Sequence, residues 1–183
     1  MSETQADSVI AEITANPYSD PAIYEAATQF SDFIAMPKKG IPICISLAEA
    51  ERKKGNIEEA KKMFGVILLM APENIQAMIG LAECLIDDEE PEQAFLLSAA
   101  IIASDYSRVD GYMLSARSNT MMERYEQAEA DLKIVIDLAK KNNDGRLELL
   151  AEKMIRAVSN AAEAALAAEA AEEESASDVD SKD

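Results

Sequence analysis

The side chains that could do chemistry in this chain are mostly carboxylates: 35 Asp and Glu stand against 17 Lys and Arg, with two cysteines and no histidine among 183 residues. Without an imidazole there is no His general base, no Cys-His nucleophile and no His-bearing metal site. No Ser, Cys or Lys stands in a recognisable nucleophile motif, and no glycine-rich stretch has the pattern that cradles a phosphate. Paired acids can cleave glycosides, but a sugar cleft usually offers aromatic surface, and this chain has no Trp. The run Asp87-Asp88-Glu89-Glu90 lacks the spaced ligands and central Gly of a calcium loop. It reads as a solvated turn whose charge complements the N-terminus of a helix starting at Pro91. Cys44 and Cys84 read as small buried hydrophobes. The expectation is a protein that is not an enzyme and needs no cofactor or metal.

Charge narrows the partners. The net value is −18, which disfavours binding to a phosphate backbone, so nucleic acid is not an expected partner. The last 23 residues hold eight acids and one Lys, leaving −11 for the rest of the chain. No uncharged apolar run approaches the roughly 20 residues that span a bilayer. The N-terminus, MSETQADSVIAEI, has neither the basic start nor the apolar core of a secretory signal, so a cytoplasmic location is expected.

The organising pattern is a repeat. Ala60, Ala94 and Ala128 recur every 34 residues (94 − 60 and 128 − 94), and Phe64, Ser98 and Leu132 follow four residues after each. Superposing windows 41–74, 75–108 and 109–142 brings Leu47-Ala48 onto Leu81-Ala82 and Ser115-Ala116. Such a period predicts stacked helical hairpins, small residues allowing the paired helices to approach and cross. The hairpins are expected at Ile41 to Lys54 with Ile57 to Met70, Ile75 to Ile86 with Pro91 to Ala103, and Val109 to Met122 with Tyr125 to Lys140. Residues 1–40 hold a weak helix before Asn16-Pro17, a firmer one from Pro21 to Met36 and a Pro37 to Gly40 loop, with Ala26 and Phe30 hinting at a divergent leading repeat. Residues 143–160 form a capping helix through Leu147, Leu150, Met154, Ile155 and Val158. The acidic Ala/Glu-rich tail, 161–183, keeps helix propensity with little to bury, and disorder is expected from Ser175 onward.

Gly55, Ala60, Phe64 and Pro72 stand where the tetratricopeptide repeat (TPR) family places Gly, Ala, an aromatic and Pro, and the chain resembles that family. Glu89 and Glu123 take the place of the turn Gly in the later windows. The resemblance implies an all-α fold, TPR-like helical hairpin repeats forming a short right-handed superhelix with a C-terminal capping helix. More narrowly, SLAEAERKKGNIEEAKKMF, IGLAEC, RYEQAEADLKIVIDLAKKN and LELLAEKMIRAV resemble the class II chaperones of type III secretion, which hold translocators in the bacterial cytoplasm.

That resemblance assigns the first helix of each hairpin to a concave groove. Its lining would be Ile45, Glu49 and Arg52 in the first repeat, Gln76, Ile79, Glu83 and Ile86 in the second, and Met113, Arg117 and Thr120 in the third. The apolar members would take alternate side chains of an extended peptide, and the polar ones its backbone. The mix does not match the basic, asparagine-bearing groove that clamps a C-terminal carboxylate. The expected function is a protein-binding TPR chaperone holding a type III secretion translocator or similar client through an extended segment, with a homodimer left open. The alternative is a structural TPR adaptor assembling a bacterial secretion or envelope complex.

Overall fold

The computed structural model describes residues 40–180, with the side chains of 169 and 171–180 outside the description. The helices expected before Met36 lie outside the described residues. Among the described residues the fold is all-α. Helices α1 (Ile41–Lys53) and α2 (Ile57–Met70) form one hairpin, α3 (Ile75–Asp87) and α4 (Pro91–Ser104) follow as the next helix–turn–helix segment, and α5 (Val109–Met121) and α6 (Tyr125–Lys141) form a further hairpin. A long helix, α7 (Gly145–Asp180), follows.

The turn within each hairpin is built the same way every time. Gly55, Glu89 and Glu123 all have positive φ, at 87°, 61° and 59°, and they are 34 residues apart. At each, the next amide reaches back five residues into the preceding helix: Asn56 to the Glu51 carbonyl at 3.0 Å, Glu90 to Leu85 at 2.8 Å and Arg124 to Asn119 at 2.8 Å. These bonds satisfy carbonyls that a helix end leaves open, and they require one residue in the left-handed region. Gly occupies it without steric cost; the two glutamates adopt it at a cost of about 1 kcal/mol each. Asn143, with φ of 55°, makes the same turn into α7, where the Asp144 amide donates to the Ala139 carbonyl at 2.9 Å. The side chains of Asn74 and Asp144 then accept from the amides of Ala77 and Leu147, starting α3 and α7.

Packing follows the period. Ala60, Ala94 and Ala128 are fully buried, as are Phe64, Ser98 and Leu132. Ala48, Ala82 and Ala116, the small residues of the first helices, are buried too. The chain divides within α3 into two compact units, one up to Cys84 and one from Leu85, so the division cuts through the repeat segment. In the first unit the core joins Ile41, Cys44 and Ala48 of α1 to Ala60, Phe64 and Ile67 of α2 and Ala77 and Cys84 of α3. In the second it joins Tyr112 and Ala116 of α5 to Ala128, Leu132 and Val135 of α6 and to Ala151 and Val158 of α7. Both cysteines are free and buried, and burial pushes the Cys44 thiol up from its ordinary range.

Core packing on α7 ends at Val158, one turn before the Ala/Glu-rich stretch. The helix nevertheless runs on to Asp180, into residues where the sequence predicts disorder. Between Gly145 and Asp180 there is neither Gly nor Pro to stop it, and alanine and glutamate favour the helical backbone without packing. Among the described residues no helix is long and apolar enough to cross a membrane.

Candidate functional site

The predicted groove residues fall into two sets, one in each compact unit. On α1, Ile45, Glu49 and Arg52 follow the four- and three-residue steps of one helix face. Ile45 is half-buried and packs against the first core, while Glu49 and Arg52 are partly exposed. On α3, Gln76 is exposed, and Ile79 and Glu83 are half-buried. An ion pair joins the two helices: Arg52 Nη2 lies 2.7 Å from Glu83 Oε2, with side-chain exposures of 22% and 33%. A partly screened pair of this kind contributes at most about 1 kcal/mol. Its greater effect is to hold two groove residues at one fixed position.

The second set lies on α5. Met113 is half-buried and packs against the second core. Arg117 is partly exposed, with Nη2 at 3.9 Å from Asp87 Oδ1, at the long limit for an ion pair. Thr120 turns its hydroxyl back to the Ala116 carbonyl at 2.8 Å, which leaves its acceptor lone pairs for a ligand. Ile86 differs from its assignment as an open lining residue. It is only 7% exposed and supplies core, because the last turn of α3 is apolar on several sides through Cys84, Leu85 and Ile86, all buried.

A second feature was not legible as a site from the sequence. Between α4 and α6 lies a cavity of about 700 Å³, walled by Phe95, Ala99, Ile102, Ala103 and Tyr106 on one side and by Arg124, Gln127, Ala130 and Asp131 on the other. Ser115 and Asn119 of α5 form its floor. The floor is a hydrogen-bonded group: Ser115 Oγ donates to Asp131 Oδ2 at 2.6 Å, and Asn119 Nδ2 donates to the same oxygen at 3.1 Å. Burial pushes the Asp131 carboxyl above the ordinary carboxylate range, and the Ser115 and Asn119 bonds oppose that rise. The signal in the sequence was a coincidence of polar substitutions. Ser115 stands where the other repeats have Leu47 and Leu81, and Asp131 where they have Met63 and Leu97. Only side-chain geometry shows that the two exceptions bond each other.

No family model matches the chain, and no curated protein matches it. Its fold is shared with solved structures. PcrH from Pseudomonas aeruginosa superposes with a TM-score of 0.63 at 18% identity over 68% of this chain and 95% of that one. PcrH in complex with the chaperone binding region of PopD gives 0.63 at 17% identity over 68% and 95%. The type III secretion chaperone SycD of Yersinia enterocolitica, in complex with a peptide of the translocator YopD, gives 0.61 at 18% over 67% and 95%. At this identity the likeness establishes a common fold.

Proposed function

We propose that this chain is a non-enzymatic, protein-binding chaperone of the bacterial cytoplasm, which holds an extended segment of a type III secretion translocator or a similar client. The observation that carries the reading is the fold match to PcrH and SycD over 95% of their length, two of those structures holding a translocator segment or peptide. The supporting chemistry lies on the first helices. Ile45 and Ile79 in one unit, and Met113 in the other, are apolar yet not fully enclosed, so each can accept an apolar side chain. Gln76, Glu83, Arg117 and Thr120 supply donors and acceptors for a backbone that no sheet pairs. Ile86 is left out of this lining because it is buried.

The test is titration with translocator peptides, using Ile79→Asp and Met113→Asp, each variant checked by thermal unfolding. Either change places a charge against the client and is expected to weaken binding by about 2 kcal/mol or more without unfolding the protein. If both variants keep full affinity while changes on α4 or α7 abolish it, the adaptor reading replaces this one.

A further inference from the structure

The cavity between α4 and α6 does not belong to the proposed groove. On α5, Ser115 and Asn119 point one way, while Met113, Arg117 and Thr120 lie roughly 100 to 160° round the helix at about 100° per residue. The same helix therefore serves the groove on one face and the cavity floor on the other.

Three properties of the cavity specify an occupant. First, its α4 wall is apolar and continues onto open surface. Phe95 and Ile102 are half-buried and Ala99 and Ala103 exposed; Leu96 is 53% exposed and Tyr106, just past the helix end, 73% exposed. A helix apolar on nearly every side is normally covered on every side. Second, both protein bonds to Asp131 fall on Oδ2, which leaves Oδ1 as an acceptor for a donor entering the cavity. Third, Arg124, the residue that caps the start of α6, lies seven residues before Asp131, about 10 Å along the helix axis at 1.5 Å per residue. Its guanidinium makes no ion pair among the described residues. The cavity thus offers a negative floor, a positive end and an apolar wall.

We propose that this cavity is a second protein-docking site. Its occupant is a partner helix that seats an apolar side chain against Phe95 and Ile102, a basic group at Asp131 and an acidic group at Arg124. Charge complementarity decides the pattern. The acid and base of the partner stand two turns apart, matching the spacing of Arg124 and Asp131, and a helix laid in a groove presents side chains at that interval. A partner bearing only apolar residues would leave Asp131 buried with its open oxygen unsatisfied, which disfavours it.

The probes are two synthetic helical peptides with a central Leu and with Lys and Glu seven residues apart, one in each order. A third peptide carries norleucine and Gln in their place. Titration followed by amide NMR is expected to give saturable shifts at Ala99, Ser115 and Asn119 with one charged order, and at least tenfold weaker binding of the uncharged peptide. Asp131→Asn and Arg124→Ala should each weaken the favoured peptide tenfold or more. Ala99→Trp, which fills the cavity mouth without touching the Ser115-Asn119-Asp131 group, should abolish binding while the melting temperature is retained. No saturable binding by either charged peptide overturns the proposal. So does binding that survives Ala99→Trp, or shifts confined to Met113, Arg117 and Thr120.

Discussion

Gly80 of α3 lies against the ring of Phe64 in α2, so close that a Cβ at residue 80 would fall far inside van der Waals contact distance of ring Cζ and Cε1. Phe64 is fully buried, and its ring fills the space that a side chain on α3 would otherwise occupy. The first unit therefore depends on the absence of one methyl group. Gly80→Ala restores better helix propensity, worth about 1 kcal/mol in a helix interior. Overpacking the ring costs typically 1 to 3 kcal/mol. The expected net result is a lower denaturant midpoint with an unchanged slope, and a stabilised variant would show that the ring moves aside freely.

The left-handed turns provide a sharper test because their conformation is known and their residue type varies. Glu89→Gly and Glu123→Gly relieve a backbone that only Gly adopts without cost, and each should raise stability by up to about 1 kcal/mol. Gly55→Ala, at φ 87°, should lower it by a similar amount. No atom lies within 4 Å of a Cβ built at Gly55, so the cost there is backbone strain without a clash. Thermal unfolding of the three variants checks the signs.

Ala94 of α4 is fully buried. Ala94→Leu should overpack it by roughly 1 to 3 kcal/mol. An unchanged unfolding midpoint would count against tight packing around this position.

Asp131 gives a pH signature. Its folded carboxyl titrates above the ordinary range, so between the unfolded and folded values the folded state holds the extra proton. The contribution is present below the unfolded value and is lost as pH rises through the folded one. Melting curves from about pH 4 to 7 should show wild type losing ground to Asp131→Asn as pH rises, since Asn can still accept from Ser115 and Asn119. A difference that does not change with pH would mean the carboxyl is effectively solvated.

Truncation after Ala161 should leave the melting temperature nearly unchanged. The last core residue on α7 is Val158, followed by the Ser159 hydroxyl donating to Glu129 Oε1 at 2.7 Å; both are retained. A large drop would reveal packing by the distal helix.

The helices were legible because a 34-residue recurrence of Ala and its neighbours reflects a crossing that tolerates only small side chains, and that constraint is local. Helix ends came within about a residue for the same reason: Gly55, Pro72 and Pro91 punctuate them. Ile86 is buried rather than lining the groove because spacing assigns a face but not its depth of burial. The floor of the α4–α6 cavity was missed because Ser115 and Asp131 are each unremarkable singly. Their 2.6 Å bond depends on α5 and α6 crossing at that point. The stretch past Ser175 differs from the expectation of disorder: it continues α7 to Asp180 with no Gly or Pro to stop the helix, although Ser, Asp and Val there favour it little.

The fit of Phe64 to Gly80 also bears on whether the repeats are interchangeable parts. Thirty-four residues later the same two places hold Ser98 and Leu114, both buried; the large residue has moved from the second helix of one hairpin to the first helix of the next. Each pair combines one bulky and one small side chain, but in opposite orders. A chain shortened by residues 75–108 would preserve the remaining turns and the helix register, yet would set Phe64 against Leu114. A chain lengthened by a second copy of the same segment would set Ser98 against Gly80 and leave a void. Repeats of one length and one turn geometry thus carry a side-chain key that fixes their order, so the modules cannot be shuffled, deleted or copied without recutting both faces of the join.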